Sequence, residues 1–184
     1  LNEDSLASDH RELKKFKSRA ISILNDLNAA ELIDEEKLET SLKEFFESNG
    51  YPVPVNPPVV GVVTKGIERK NGELVHSGVD VAAEYGASVK SPLQGMVVYS
   101  GPSSDLGNMI ILSHDNGLYT VYGHNKHNLV KNRDFVNVGQ EIAKVGGTGE
   151  SDGPHLHFEI WEKDRVLDPR EFIEIYKLRD VSIK

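Results

Sequence analysis

Within this 184-residue sequence, the stretch GPHLHFEIW (153–161) sets two histidines on either side of one leucine, in a run composed like a β-strand. Side chains alternate faces along a strand. Leu156, Phe158 and Ile160 therefore share one apolar face, suited to a core, while His155, His157, Glu159 and Trp161 share the other, open face. Two imidazoles on such a face can bind one metal ion together, or divide into one ligand and one neighbour that handles protons. A pair displayed for no purpose would still need its hydrogen bonds met at an apolar sheet, which is costly.

Two other stretches carry residues of the same chemistry. In LVHSGVDVA (74–82), His76 and Asp80 are four apart, but Gly78, Val79 and Val81 disfavour a helix. On a straight strand the two would lie roughly 13 Å apart, too far to share an ion. The chain must bend at Ser77-Gly78, as glycine permits, to bring His76 back beside Asp80. In YTVYGHNKH (119–127), Thr120, Tyr122 and His124 are expected on one strand face, with His124 at the strand end and His127 solvated in a polar loop. His114 ends a strand before a tight turn and reads as structural, and His10 belongs to the N-terminal region. Cysteine is absent, so any metal ligands must be His, Asp or Glu. His76, Asp80 and one of His155 and His157 supply two imidazoles and a carboxylate. A catalytic zinc site takes three protein ligands and leaves the fourth position to water, and the remaining histidines are then available for proton transfer.

The elements that must position these residues are legible from patterning. Residues 1–50 form a helical region without Gly or Pro before Gly50: Leu13, Phe16, Ala20, Ile23, Leu24 and Leu27 mark one face, and a second helix runs from Asp34 through Phe46. YPVPVNPP (51–58) is a stiff proline-rich linker and marks the domain boundary. From Val59 the pattern changes to short β-rich runs at 59–63, 79–83, 87–90, 95–100, 108–114, 118–123, 141–145 and 155–162, with turns at Asn71-Gly72 and Asn116-Gly117. LDPREFIEIY (167–176) reads as a closing helix capped by Asp168, with Pro169 at its first position. The expected fold is α+β: a helical segment, then a mainly antiparallel β-domain over 59–176 made of two packed sheets with an open groove, then a tail at 177–184. The net charge of −8 argues against a nucleic-acid surface.

HSGVDVAAEYGASVKSPLQGMVVYSG, GNMIILSHDNGLYTVYGH, VNVGQEIAKVGGTG and GPHLHFEI resemble, in order and approximate spacing, the lysostaphin/LytM-type zinc metalloendopeptidases that cleave peptidoglycan peptides. The resemblance covers about residues 74–172. It implies that His76, Asp80 and His157 bind Zn2+ and that His155 and His124 are catalytic. It also implies peptidoglycan peptides as substrate and an extracytoplasmic place in a bacterial cell envelope. The N-terminal helices would serve a membrane anchor or a regulatory protein. All five site residues are present, unlike in degenerate members that act as envelope scaffolds or amidase activators. Active members often carry a Tyr shortly before the first metal histidine, and IERKNGEL (67–74) has none. Either another oxyanion donor serves, such as Tyr122 or a loop amide, or transition-state stabilisation is weaker than usual in the family. SPLQGMVVYSG and VGQEIAKVGG also look like the halves of a biotinyl/lipoyl carrier, but the insert between them holds His114 and His124 where that module needs a lysine-tipped hairpin.

Overall fold

The computed structural model describes residues 54, 56–114 and 117–182. The chain divides at Pro52/Val53 into two units, and all described residues belong to the second. The expected helices of residues 1–50 lie outside the described residues.

The second unit is mostly antiparallel β-structure. Its strands are β1 (Val62–Lys65), β2 (Glu68–Lys70), β3 (Glu73–His76), β4 (Val79–Ala82), β5 (Ser88–Lys90) and β6 (Gly95–Ser103). β7 (Gly107–Ser113), β8 (Leu118–Asn128), β9 (Phe135–Val136), β10 (Glu141–Val145), β11 (His155–Glu162) and β12 (Arg165–Leu167) follow. Ten of them join one sheet in the order β1-β4-β11-β8-β7-β6-β9, with β10 paired to β5 and β8, and β12 to β11. The expectation of two separate packed sheets is thus corrected: β8 is long enough to hold both parts together. One of its edges pairs β11 along Leu118–Gly123 and then β10 along Asn125–Asn128. β2 and β3 form a separate hairpin about the Asn71-Gly72 turn, where φ is 54° and 85°, the left-handed pair that a tight hairpin needs.

The inward face of β11 behaves as its pattern requires. Leu156, Phe158 and Ile160 are fully buried and pack with Val79, Val81, Ile110, Leu112 and Tyr122. The Phe158 and Tyr122 rings lie 5.4 Å apart. The other face is less open than expected: Glu159 and Trp161 are buried there as well. In the core, the His114 Nδ1–H donates to Gln94 O (2.7 Å), Thr120 O–H to His114 Nε2 (2.7 Å) and Tyr122 O–H to Thr120 (2.9 Å). This chain of bonds satisfies the buried polar groups and gives His114 its structural role.

At the C-terminal end, the expected single helix is two short ones, α1 (Pro169–Phe172) and α2 (Glu174–Leu178), because Ile173 takes an extended backbone between them. Asp168 caps α1 by accepting from Arg170 N. Within the expected tail, residues 177–182 are packed: Val63 N donates to Arg179 O and Val181 N to Val63 O, both at 2.9 Å, which covers the outer edge of β1 at Val63. The end of the proline-rich stretch is likewise packed, with Pro58 O accepting from Lys90 N and Val59 O from Tyr176 Oη.

Because Leu156 alone separates the two histidines yet faces the core, Leu156→Ala is expected to cost about 2–5 kcal/mol of folding stability. Urea unfolding monitored by circular dichroism measures it. A cost below about 1 kcal/mol would mean that the strand's faces are misassigned.

Candidate metal centre

Paired strands fix most of the centre. Asp80 on β4 stands directly opposite His157 on β11, and His155 opposite Ala82, so His155, His157 and Asp80 share one sheet face. His76 ends β3, and the chain turns through Ser77-Gly78 into β4, returning the imidazole to Asp80. The expected bend is therefore present, but glycine's role in it differs from the expected conformational freedom. Gly78 is not among the left-handed residues, and a β-carbon there would lie 2.3 Å from Phe158 O. Gly78 is required because β11 passes too close for any side chain.

His124 arrives by a different device. Tyr122 is the register partner of Phe158 on the core face, and Gly123 that of His157 on the opposite face. Simple alternation would send His124 back into the core. Instead His124 has φ of +60°, at the bulge between β8 and β7, and its side chain turns to the side of His155 and His157. The expected shared face of Thr120, Tyr122 and His124 is thereby corrected. So is Tyr122 as an oxyanion donor: it is fully buried against Phe158 on the core face, opposite the face that carries Asp80 and His157. His127, expected in a loop, is an exposed residue of β8.

Three acceptor atoms converge. His76 Nε2 lies 3.1 Å from Asp80 Oδ1 and 3.2 Å from His157 Nδ1, and His157 Nδ1 lies 2.7 Å from Asp80 Oδ1. The far side of each ring settles its tautomer. Gly66 O, 2.6 Å from His76 Nδ1, can only accept, so Nδ1 carries the proton and Nε2 presents a lone pair. Glu159 Oε1, 3.0 Å from His157 Nε2, accepts from that ring and from the Ser77 hydroxyl, while Glu159 Oε2 accepts from the Trp161 indole. The sequence pattern placed Glu159 on the same face but did not single it out. Its HxHxE spacing, with one ring reaching the next same-face carboxylate, is the signal that could have found it.

Lone pairs and a carboxylate oxygen at these distances repel one another unless a cation or a proton sits among them. The electrostatics agree. Burial opposes charge on His157, yet hydrogen bonds to Asp80 and Glu159 raise its pKa to about 9. Burial also opposes ionisation of Asp80 and Glu159, yet their imidazole partners hold both below the ordinary carboxylate range. A half-buried and a buried carboxylate, Asp80 and Glu159, thus stabilise positive charge at the rings. The donor set of two imidazole nitrogens and one carboxylate, each ring backed by a carbonyl or carboxylate, fits zinc.

His155 and His124 border this cluster. His155 Nε2 lies 3.7 Å from Asp80 Oδ1, and its Nδ1–H donates to Gly153 O at 2.9 Å. The His124 Nδ1–H donates to Thr148 O at 2.8 Å, and its ring centroid is 4.6 Å from that of His155. Each Nε2 is thereby left as the acceptor. Burial pushes the His124 pKa down to about 4, so that ring is neutral near pH 7. All five residues line one groove of about 550 Å³, whose other walls include Lys65, Asp105, Leu106, Glu150 and Asp152.

The chain that carries this groove is similar to known proteins. The profile described as Peptidase family M23 matches residues 74–169. The murein hydrolase activator NlpD of Escherichia coli is 35% identical over 99 residues, covering 53% of this chain and 26% of the relative. The peptidoglycan DD-endopeptidase ShyB of Vibrio cholerae is 34% identical over 139 residues, covering 72% and 32%. Among solved structures, a zinc-containing peptidase from Vibrio cholerae superposes with a TM-score of 0.56 at 36% identity, over 60% of this chain and 37% of that one. The chain spans about a third of the length of the curated relatives it matches.

Elemental analysis of the purified protein is expected to find about one zinc per chain, in line with one three-ligand site. His76→Ala, Asp80→Ala and His157→Ala should each lower that occupancy. Glu159→Gln should weaken zinc binding about 10–100-fold, as expected for a residue that orients a ligand. Full occupancy in all three ligand variants would place the metal elsewhere.

Proposed function

The chain belongs to peptidase family M23, and from that premise we propose that it is a zinc-dependent endopeptidase that hydrolyses peptide bonds in the cross-links or stems of peptidoglycan. The observation that carries this reading is the convergence, in one groove, of a three-acceptor cluster with two further imidazoles whose Nδ1 atoms are held by backbone carbonyls.

Zinc held by His76, Asp80 and His157 would supply a Lewis acid that acidifies water and polarises the scissile carbonyl. The protein's own residues do the rest. His155 and His124 divide the proton transfers: one accepts a proton at Nε2 as water attacks, and the other hydrogen-bonds the developing oxyanion only when its own Nε2 carries a proton. Burial of His124 suits a transient carrier: a proton taken up there is readily passed on to the leaving amine. Backbone carbonyls at Thr148 and Gly153 hold Nδ1 of both rings, which leaves each Nε2 free to exchange a proton in the groove. A substrate of this kind lies outside the cytoplasmic membrane, so the proposed location is the bacterial cell envelope. No helix among the described residues is long and apolar enough to cross a membrane. The N-terminal region would meet a membrane anchor or a regulatory protein.

The relative named as a murein hydrolase activator favours a second reading, a non-catalytic scaffold or amidase activator. The complete set of five site residues weighs against it.

Digestion of chemically defined cross-linked muropeptides by the zinc-loaded protein, read by mass spectrometry, tests the proposal. Products should carry the mass of one added water per cleaved peptide bond. His155→Ala and His124→Ala should keep their zinc and lose about 10²–10⁴-fold in rate. Wild-type rates in either variant would remove that residue from the mechanism. An intact substrate, together with stimulation of an added amidase, would establish the activator reading instead.

A further inference from the structure

His76 is oriented on its far side by one backbone carbonyl, that of Gly66, and the Gly66 backbone in turn lies against the side chain of Arg170. Gly66 lies buried between β1 and β2. A β-carbon built on it would sit 2.6 Å from Arg170 Nη1, 2.8 Å from Cζ and 2.9 Å from Nη2. The guanidinium therefore packs against the Gly66 backbone, and a side chain at this position would have to displace it.

Arg170 is fixed in turn. Its Nε and Nη2 bond the Asp168 carboxylate at 3.0 and 2.7 Å, and Nη1 bonds Asp180 Oδ2 at 2.7 Å. A planar fork held by two carboxylates has little freedom, unlike a lysine ammonium in the same place. Asp180 is anchored by bonds from Ser182 N and Oγ, and its neighbours Arg179 and Val181 are bonded to Val63 on β1. The C-terminal segment thus grips β1 and lays Arg170 across the residue that follows this strand.

From this geometry we propose that Arg170, acting through Gly66, is a positioning residue for the metal ligand His76. The proposal rests on the zinc reading of the site. The guanidinium braces the Gly66 backbone, and the Gly66 carbonyl in turn keeps His76 Nε2 aimed at Asp80 and His157. Groups that orient a ligand in this way commonly contribute about 10–100-fold to metal affinity. The C-terminal strap, remote in sequence from all five site residues, thereby becomes part of the metal centre.

The test measures zinc dissociation constants by chelator competition, and visible spectra of the cobalt-substituted protein, on samples shown folded by circular dichroism. Wild type is compared with Arg170→Ala, Arg170→Lys, Gly66→Ala and Tyr176→Phe. Tyr176→Phe loosens the same segment, by removing the 2.8 Å bond to Val59 O, without touching Gly66. Arg170→Ala and Gly66→Ala should weaken zinc about 10–100-fold and alter the cobalt spectrum. Arg170→Lys should fall between them and wild type, and Tyr176→Phe should match wild type. Wild-type affinity and spectrum in Gly66→Ala and Arg170→Lys would overturn the proposal, and these two decide it if Arg170→Ala fails to fold. Equal weakening in Tyr176→Phe would overturn it as well, since general loosening would then suffice. A wild-type protein that binds no zinc would remove the metal reading itself, and the positioning role with it.

Discussion

Three electron-pair donors held 2.7 to 3.2 Å apart are the constraint on which the rest of the structure depends. Such a cluster is repulsive by itself, and a folded chain tolerates it only where positive charge is stabilised among the atoms. The surroundings meet that condition. Asp80 stays ionised despite its burial, and Glu159 places a second carboxylate behind His157. Ser77 and Trp161 then satisfy Glu159, so that no buried acceptor of that carboxylate is wasted on the core. Polar order extends outward in shells, each fixing the one inside it.

Strand pairing makes this order possible with few residues. A direct cross-strand pair supplies Asp80 and His157, and a turn that must pass beneath β11 supplies His76. The bulge in β8, with one left-handed residue, redirects His124 from core to groove at the point where β8 exchanges β11 for β10 as its neighbour. The continuity of the sheet and the position of His124 therefore have one local cause. A regular β8 would keep alternation intact and send this imidazole into the apolar interior.

Much of this was legible in the sequence because period-two patterning and turn residues act locally. The strands carrying Asp80, His124, His155 and His157 were expected close to where they lie, and the bend between His76 and Asp80 followed from distance alone. What was not legible depends on contacts between distant segments. The role of Tyr122 could not be seen, since a backbone dihedral at His124, not composition, decides which face the two residues share. Glu159 reads as an outward residue until Ser77 and Trp161 close over it. Gly78 announces a bend, whereas its use is to admit β11, and that is known only once the strands are paired. The division of the closing helix at Ile173 and the strap formed by Arg179–Val181 likewise depend on packing against β1 and the core.

The central claim is that three side chains hold one zinc ion and leave its remaining position facing two unligated histidines. Anomalous diffraction at the zinc edge, from crystals grown with one equivalent of zinc, measures this most directly. The account predicts a single peak about 2.0–2.2 Å from His76 Nε2, an Asp80 carboxylate oxygen and His157 Nδ1, with solvent density toward His124 and His155. A peak elsewhere, or one whose fourth ligand is His124 or His155, would contradict it: the first would empty the cluster of its purpose, and the second would close the site to substrate.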